Sequence, residues 1–253
     1  MRYAGGVIGK LINQSSKVSF VGGRSVATVG STTNITLNFN ADVRENDFVI
    51  VAHVIPNTSQ QTPNVISSGY TTLRLDYVNA GTYDTNLRVA YKRMGATPDT
   101  NVIFGASNST SVGTLSGALI FRNVDISSPF DVTSNTANAT GTNVINPAAI
   151  TPVSRNAMIA VIGAGAYSGA TGLYTATGLE NAFTDVVNES NSDGGIGLGI
   201  YSQWASGVYD PAAWTNTQSS TSTQSYSSIT IALRPQLPSA IVTIEDIYNA
   251  GSR

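Results

Sequence analysis

Most enzymatic reactions need a proton carrier or a nucleophile, and this chain of 253 residues holds one histidine, His53, and no cysteine. Any Ser-His-Asp triad must therefore run through His53. No thiol nucleophile, disulfide framework or cysteine zinc site can form. His53 stands inside Phe48-Val49-Ile50-Val51-Ala52-His53-Val54-Ile55, an unbroken apolar run that reads as a buried strand. A satisfied interior histidine is the expectation there, and no residue is assigned a catalytic role.

The carboxylates are too sparse to nominate an acid–base pair. Asp125 and Asp131 lie close in sequence, but Ser127, Ser128 and Pro129 between them mark a turn. Capping of backbone N–H groups accounts for both side chains without chemistry. Glu189-Ser190-Asn191-Ser192-Asp193-Gly194 begins like a calcium loop, yet the acid due six residues past the glycine falls on Ile200, which cannot ligate. Gly163-Ala164-Gly165-Ala166-Tyr167-Ser168-Gly169 misses the spacing of a dinucleotide loop, and no βαβ pattern follows it. No cofactor and no metal are expected. Aromatic rings crowd a polar stretch at Tyr167, Tyr174, Tyr201, Trp204, Tyr209 and Trp214. Exposed, such rings stack on sugar faces; buried, they fill the end of a core or a subunit contact. Trp204, Tyr209 and Trp214 are therefore the candidate glycan-stacking residues.

The scaffold that must carry these residues is legible from composition. Charged residues are 11% and hydrophobic residues 41% of the chain, with a net charge of -2. That is enough apolar material for a core, and it excludes a disordered chain. Only 13 Lys and Arg residues are present, too few for the basic face a nucleic-acid binder needs. No run approaches the roughly 20 apolar residues that span a bilayer. Ser, Thr and Asn make up about a third of the chain, and these side chains favour turns, caps and strand surfaces over helix interiors.

Short strand patterns recur between turn clusters. Ile35, Leu37 and Phe39 alternate on one face; Leu87–Arg93 alternates as well. Val102–Phe104, Ala118–Phe121 and Met158–Ile162 are apolar runs, and Ile229, Ile231 and Leu233 should face inward near the end. Glycines alternate through Ile196–Tyr201, the mark of a close backbone approach. Segments 163–195 and 205–225 read as long loops with a short edge strand each. The expectation is an all-β, jelly-roll-like two-sheet sandwich over 18–235, with an extended arm at 1–17 and a short helical arm at 236–253. Ser239 can cap that helix, Ile241, Ile244, Ile247 and Tyr248 share its face, and Gly251 can end it, with a strand through Ile241–Ile244 as the alternative. The first twelve residues lack a continuous apolar core and do not read as a signal peptide.

Three segments carry a resemblance. Ala118-Leu119-Ile120-Phe121-Arg122-Asn123-Val124-Asp125, then Ser128-Pro129-Phe130-Asp131, and finally Ile231-Ala232-Leu233-Arg234-Pro235 resemble a β-sandwich domain of bacteriophage and bacterial surface proteins. In that group a strand ends in Gly-Val-Asp, a Pro-hydrophobic-Asp turn follows, and the last strand closes with Ala-Leu-Arg-Pro. Asn123 replaces the usual glycine, which asks the position to tolerate a left-handed backbone. Tyr83-Asp84-Thr85-Asn86-Leu87 and Tyr91-Lys92-Arg93-Met94 resemble the marine-phage versions. The resemblance covers about 18–235 and implies a virion structural protein with no established catalytic residues. It implies capsid decoration or a tail-fibre module, assembled in the host cytoplasm and displayed on the particle. Partners would be further copies of the chain, as a homotrimer, and the major capsid or tail protein. Val7, Ile8, Leu11, Ile12, Ile241, Ile244, Ile247 and Tyr248 are the expected assembly contacts, neither nucleic acid nor membrane insertion is expected, and host surface glycan is the alternative partner.

Overall fold

The computed structural model describes residues 17–28, 33–81, 83–107, 112–142, 144–167, 174–175, 180–185, 194–202, 204–216 and 224–237. The eight expected assembly contacts and the proposed C-terminal helix lie outside these residues. Every described element is a strand. The first half of the chain supplies β1 (Ser19–Thr28), β2 (Ile35–Asn38), β3 (Phe48–Asn57), β4 (Thr71–Val78), β5 (Asp84–Arg93), β6 (Asn101–Phe104) and β7 (Thr114–Arg122). The second supplies β8 (Asn135–Thr140), β9 (Val144–Ile145), β10 (Met158–Ala166), β11 (Tyr174–Thr175), β12 (Glu180–Asp185), β13 (Gly194–Tyr201), β14 (Trp214–Asn216) and β15 (Ser225–Leu233).

Each half makes its own antiparallel sheet of five strands, in the orders β1-β7-β3-β5-β4 and β8-β15-β10-β13-β12. Strand for strand these are the same order. Each half also lays a small flap over the outer face of its sheet. In the first, β2 pairs with β6, and Val65 bridges Phe104; in the second, β9 and β11 pair with either edge of β14. Register repeats as well. Phe48 faces Phe121 and Ile50 faces Tyr91, while Met158 faces Leu233 and Ala160 faces Ile200. Asn46 and Asn156 take left-handed conformations (φ 67° and 66°) in matching turns, closed by Asp47 N–H on Arg44 O and Ala157 N–H on Ser154 O.

The two sheets pack face to face with reciprocal contacts. β7 rests on β13 as β15 rests on β5; β1 rests on β12 as β8 rests on β4; β3 meets β10. Such exchange is the signature of a two-fold, self-complementary interface, here inside one chain. Alternate residues explain the layers. Phe48, Ile50, Ala52 and Val54 meet Met158, Ala160, Ile162 and Ala164 between the sheets. Val49 and Val51 point outward under Ile35, Leu37, Val102 and Phe104 of the first flap. Ile159 and Val161 point outward under Ile145 and Trp214 of the second. β3 and β10 are covered on both faces, which is why their sequences run apolar without alternation.

The two-sheet sandwich is thus as expected from sequence. In a jelly roll, successive strands pass back and forth between the sheets; here each half keeps to its own sheet, so the strand order does not carry that finer assignment. Ile35 and Leu37 do share a buried face with half-buried Phe39, and Ile229, Ile231 and Leu233 do point inward.

Candidate functional site

The three segments of the family resemblance meet at one corner. Val124 bridges Pro235 and Phe130 bridges Leu233. Asp125 N–H donates to Arg234 O at 2.9 Å, Arg234 N–H to Pro129 O at 2.9 Å, and Gln236 N–H to Asn123 O at 2.8 Å. Asn123 is left-handed, with φ 62°, as its glycine-like position requires. The corner's charges all hold backbone. Asp125 Oδ1 accepts from Ser127 N–H and Ser128 N–H at 3.0 and 2.7 Å. Asp131 Oδ2 accepts from Val153 N–H and Ser154 N–H at 2.6 and 2.9 Å, and Arg234 Nε lies 3.4 Å from its Oδ1. Burial opposes ionisation of Asp131, but hydrogen bonds from Ser154, Val153 and Arg234 outweigh it and hold the carboxyl below its usual range. Capping, expected for both aspartates, is what both do.

The matching turn of the first half is held by the same kind of group from another place. Asp47, fully buried, accepts Arg44 N–H at 2.8 Å and takes the Arg122 guanidinium in a two-pronged grip, 2.8 Å on each oxygen. Asp47 hydrogen bonds raise the Arg122 pKa above the ordinary guanidinium value. Ala157 occupies the position equivalent to Asp47, and Asp131 reaches in from outside the turn to do its work.

His53 is interior, as its strand context implies. Its Nδ1 lies 2.8 Å from Ser116 Oγ and its Nε2 lies 3.1 Å from Gly105 O. The carbonyl can only accept, so Nε2 carries the proton and Nδ1 accepts from the hydroxyl. Burial pushes the imidazole down to about 4. A serine and a base in hydrogen-bond contact resemble the start of a hydrolytic pair, but both residues have zero exposure and no substrate can reach them. Among the described residues no group of three or more His, Cys, Asp or Glu gathers to hold a metal.

The aromatic candidates are corrected by their burial. Trp214 is 1% exposed and Trp204 7%, both within the cluster under the second flap. Trp204 Nε1 donates to Gly207 O at 3.1 Å. Tyr209 is half-buried and stacks on Tyr201, centroids 4.7 Å apart. These rings serve as core, because the small β9–β14 flap has no other bulk with which to cover the outer face of β10 and β13. Glycines on that face make the room: a Cβ at Gly163 would sit 2.9 Å from Trp214 Cζ3, and one at Gly197 would collide with the same ring. The alternating glycines had signalled close approach, but not what approached.

Clefts open at the surface among the described residues. One, of about 400 Å³, lies beside Lys92, whose Nζ is already taken by Asp99 at 2.6 Å and Ser68 O at 3.1 Å. Another, of about 660 Å³, opens between the ends of the two sheets. It is lined by Lys17, Ser19 and Phe20 from the start of the first half and by Arg155, Met158, Ile200 and Trp204 from the second. Its lining comes from three separated segments, so no single stretch of sequence announces it.

Compared with known proteins, the chain matches no family model, no curated protein and no solved structure.

Proposed function

We propose that the protein is a structural component of a bacteriophage particle, displayed on its surface as capsid decoration or a tail-fibre module. It acts by protein–protein assembly and carries out no reaction. The observation that supports this reading most is the corner: the segments that bear the resemblance converge, and their charged groups are spent on backbone and on internal ion pairs. The buried, partnered state of His53 points the same way. Within this reading the assembly arms, set at 1–17 and 236–253 from sequence, are taken as 1–16 and 238–253, because Lys17 O and Gln236 N–H both bond Asn123. Their apolar positions, Val7, Ile8, Leu11 and Ile12 at one end and Ile241, Ile244, Ile247 and Tyr248 at the other, meet copies of the chain in a trimer and the major capsid or tail protein. Host-glycan stacking on Trp204 and Trp214 is not part of the proposal, because both indoles are interior.

Imaging of intact particles tests it. The chain should account for density at three-fold capsid sites or along the tail axis. Purified particles that lack the chain altogether would overturn the reading.

A further inference from the structure

The two-fold relation between the halves creates two equivalent places at the ends of the sheets, and they are filled differently. At one, the chain's own side chains fill the space. Phe48, Tyr91 and Phe130 form a ring cluster, with centroids 5.0 to 5.8 Å apart. The Arg93 guanidinium lies 5.1 Å over Phe48 and donates to Asn46 O, Val124 O and Asp125 O. At the other, register puts Met158 for Phe48, Ile200 for Tyr91, Phe20 for Phe130 and Ser202 for Arg93. Three of the four are smaller, and the cleft of about 660 Å³ stands where the filling would be.

The rims differ in charge as well. Glu45 in the turn of the first half corresponds to Arg155 in the second, and Ser127 corresponds to Lys17. The open cleft therefore carries two exposed cations and no carboxylate in its lining. Neither cation forms an ion pair among the described residues. The lining adds the polar side chains of Ser19, Asn156 and Ser202 and the half-buried ring of Phe20, over the interior residues Met158, Ile200 and Trp204.

We infer that this open cleft is a binding site for a carboxylate-bearing sugar, a uronic-acid unit of an acidic saccharide. The carboxylate meets Lys17 and Arg155, hydroxyls meet the Ser and Asn side chains, and the ring's apolar face lies on Phe20. The volume suits one or two sugar units. This goes beyond the assembly role and does not depend on it.

The test is titration of the full chain with the disaccharide of glucuronic acid and N-acetylglucosamine, read by calorimetry and by the fluorescence of Trp204. Binding is expected, and the counterpart with its carboxylate reduced to an alcohol should bind at least about tenfold more weakly, the loss of one charge-assisted contact. Lys17→Gln and Arg155→Gln, both on exposed side chains, should each weaken the acid by a similar factor and leave the melting temperature unchanged. Ile200→Tyr with Ser202→Arg, which copies the filled cleft into the open one, should abolish binding. No binding at millimolar disaccharide, equal binding of the alcohol, or full binding by both cation variants would overturn the assignment. Should the filling pair fail to fold, the cation variants decide alone.

Discussion

Trp214 sits in the second half of the chain where Phe104 sits in the first: each pairs with an isoleucine of its flap, Ile145 and Ile35, and each lies on the outer face of its sheet. What lies beneath them differs. Phe104 stacks on His53, centroids 5.0 Å apart and planes 24° from parallel. Trp214 rests on Gly163, which stands at the position equivalent to His53. Ring on ring in one half becomes a larger ring on bare backbone in the other.

That exchange predicts coupling. Gly163→Ala should destabilise by about 1–3 kcal/mol, the usual effect of overpacking. Trp214→Phe alone should destabilise through a cavity. The two together should lose less than the sum of the single losses, as urea unfolding midpoints will show. Strict additivity would mean that the ring does not rest on Gly163.

His53 predicts a pH dependence. Its native pKa of about 4 lies below the unfolded value of 6.5, so between those pH values the unfolded chain binds a proton that the native one refuses. Above pH 6.5 the group contributes nothing to the slope. As pH falls from 6.5 to 4 stability is lost, by about 3 kcal/mol in all for a gap of this size. Melting curves of wild type and His53→Phe across that window should diverge in slope, the variant being the flatter. Parallel curves would place the imidazole in contact with water.

Asp47 and Asp131 are both buried and perform the same task, but Asp47 grips its arginine through two 2.8 Å contacts and Asp131 through one of 3.4 Å, so their removal should differ in size. Asp47→Ala strands the Arg122 guanidinium and the Arg44 N–H, and should cost about 3–5 kcal/mol, with part recovered in Asp47→Ala/Arg122→Met. Asp131→Ala should cost less, about 1–3 kcal/mol. Asp131 is held below its usual pKa, so its contribution is present above the unfolded value and fades as pH falls through the native one. Chemical denaturation at neutral and acid pH measures both.

The extent to which sequence spoke depended on what each residue had to satisfy. Phe48–Val54 and Met158–Ile162 were readable as strands because two covered faces leave no polar positions. Asn123 was readable as left-handed because so few side chains accept that geometry. β1 was not readable: Gly22, Gly23 and Arg24 break its alternation, and a bulge between Phe20 and Gly22 shifts its register. β8, Asn135–Thr140, is a polar edge strand with no alternation to detect. The repeat of the halves left a trace in Asn46-Asp47-Phe48-Val49-Ile50-Val51 beside Asn156-Ala157-Met158-Ile159-Ala160-Val161, yet identities are so few that only pairing reveals it. Trp204 and Trp214 misled because a polar neighbourhood in sequence says nothing about a flap that folds over a sheet.

We propose that a self-sufficient sandwich is carried into a particle by its ends. Lys17 O accepts from Asn123 Nδ2 at 3.3 Å and Gln236 N–H donates to Asn123 O, so both residues are tied to the sandwich and shortening should stop short of them. The decisive measurement is the copy number on purified particles of the full chain against chains lacking 1–16, 238–253 or both, each first shown to melt like the full chain. The account predicts that the body without either arm stays folded and is lost from particles. Full incorporation of the doubly shortened chain would contradict it.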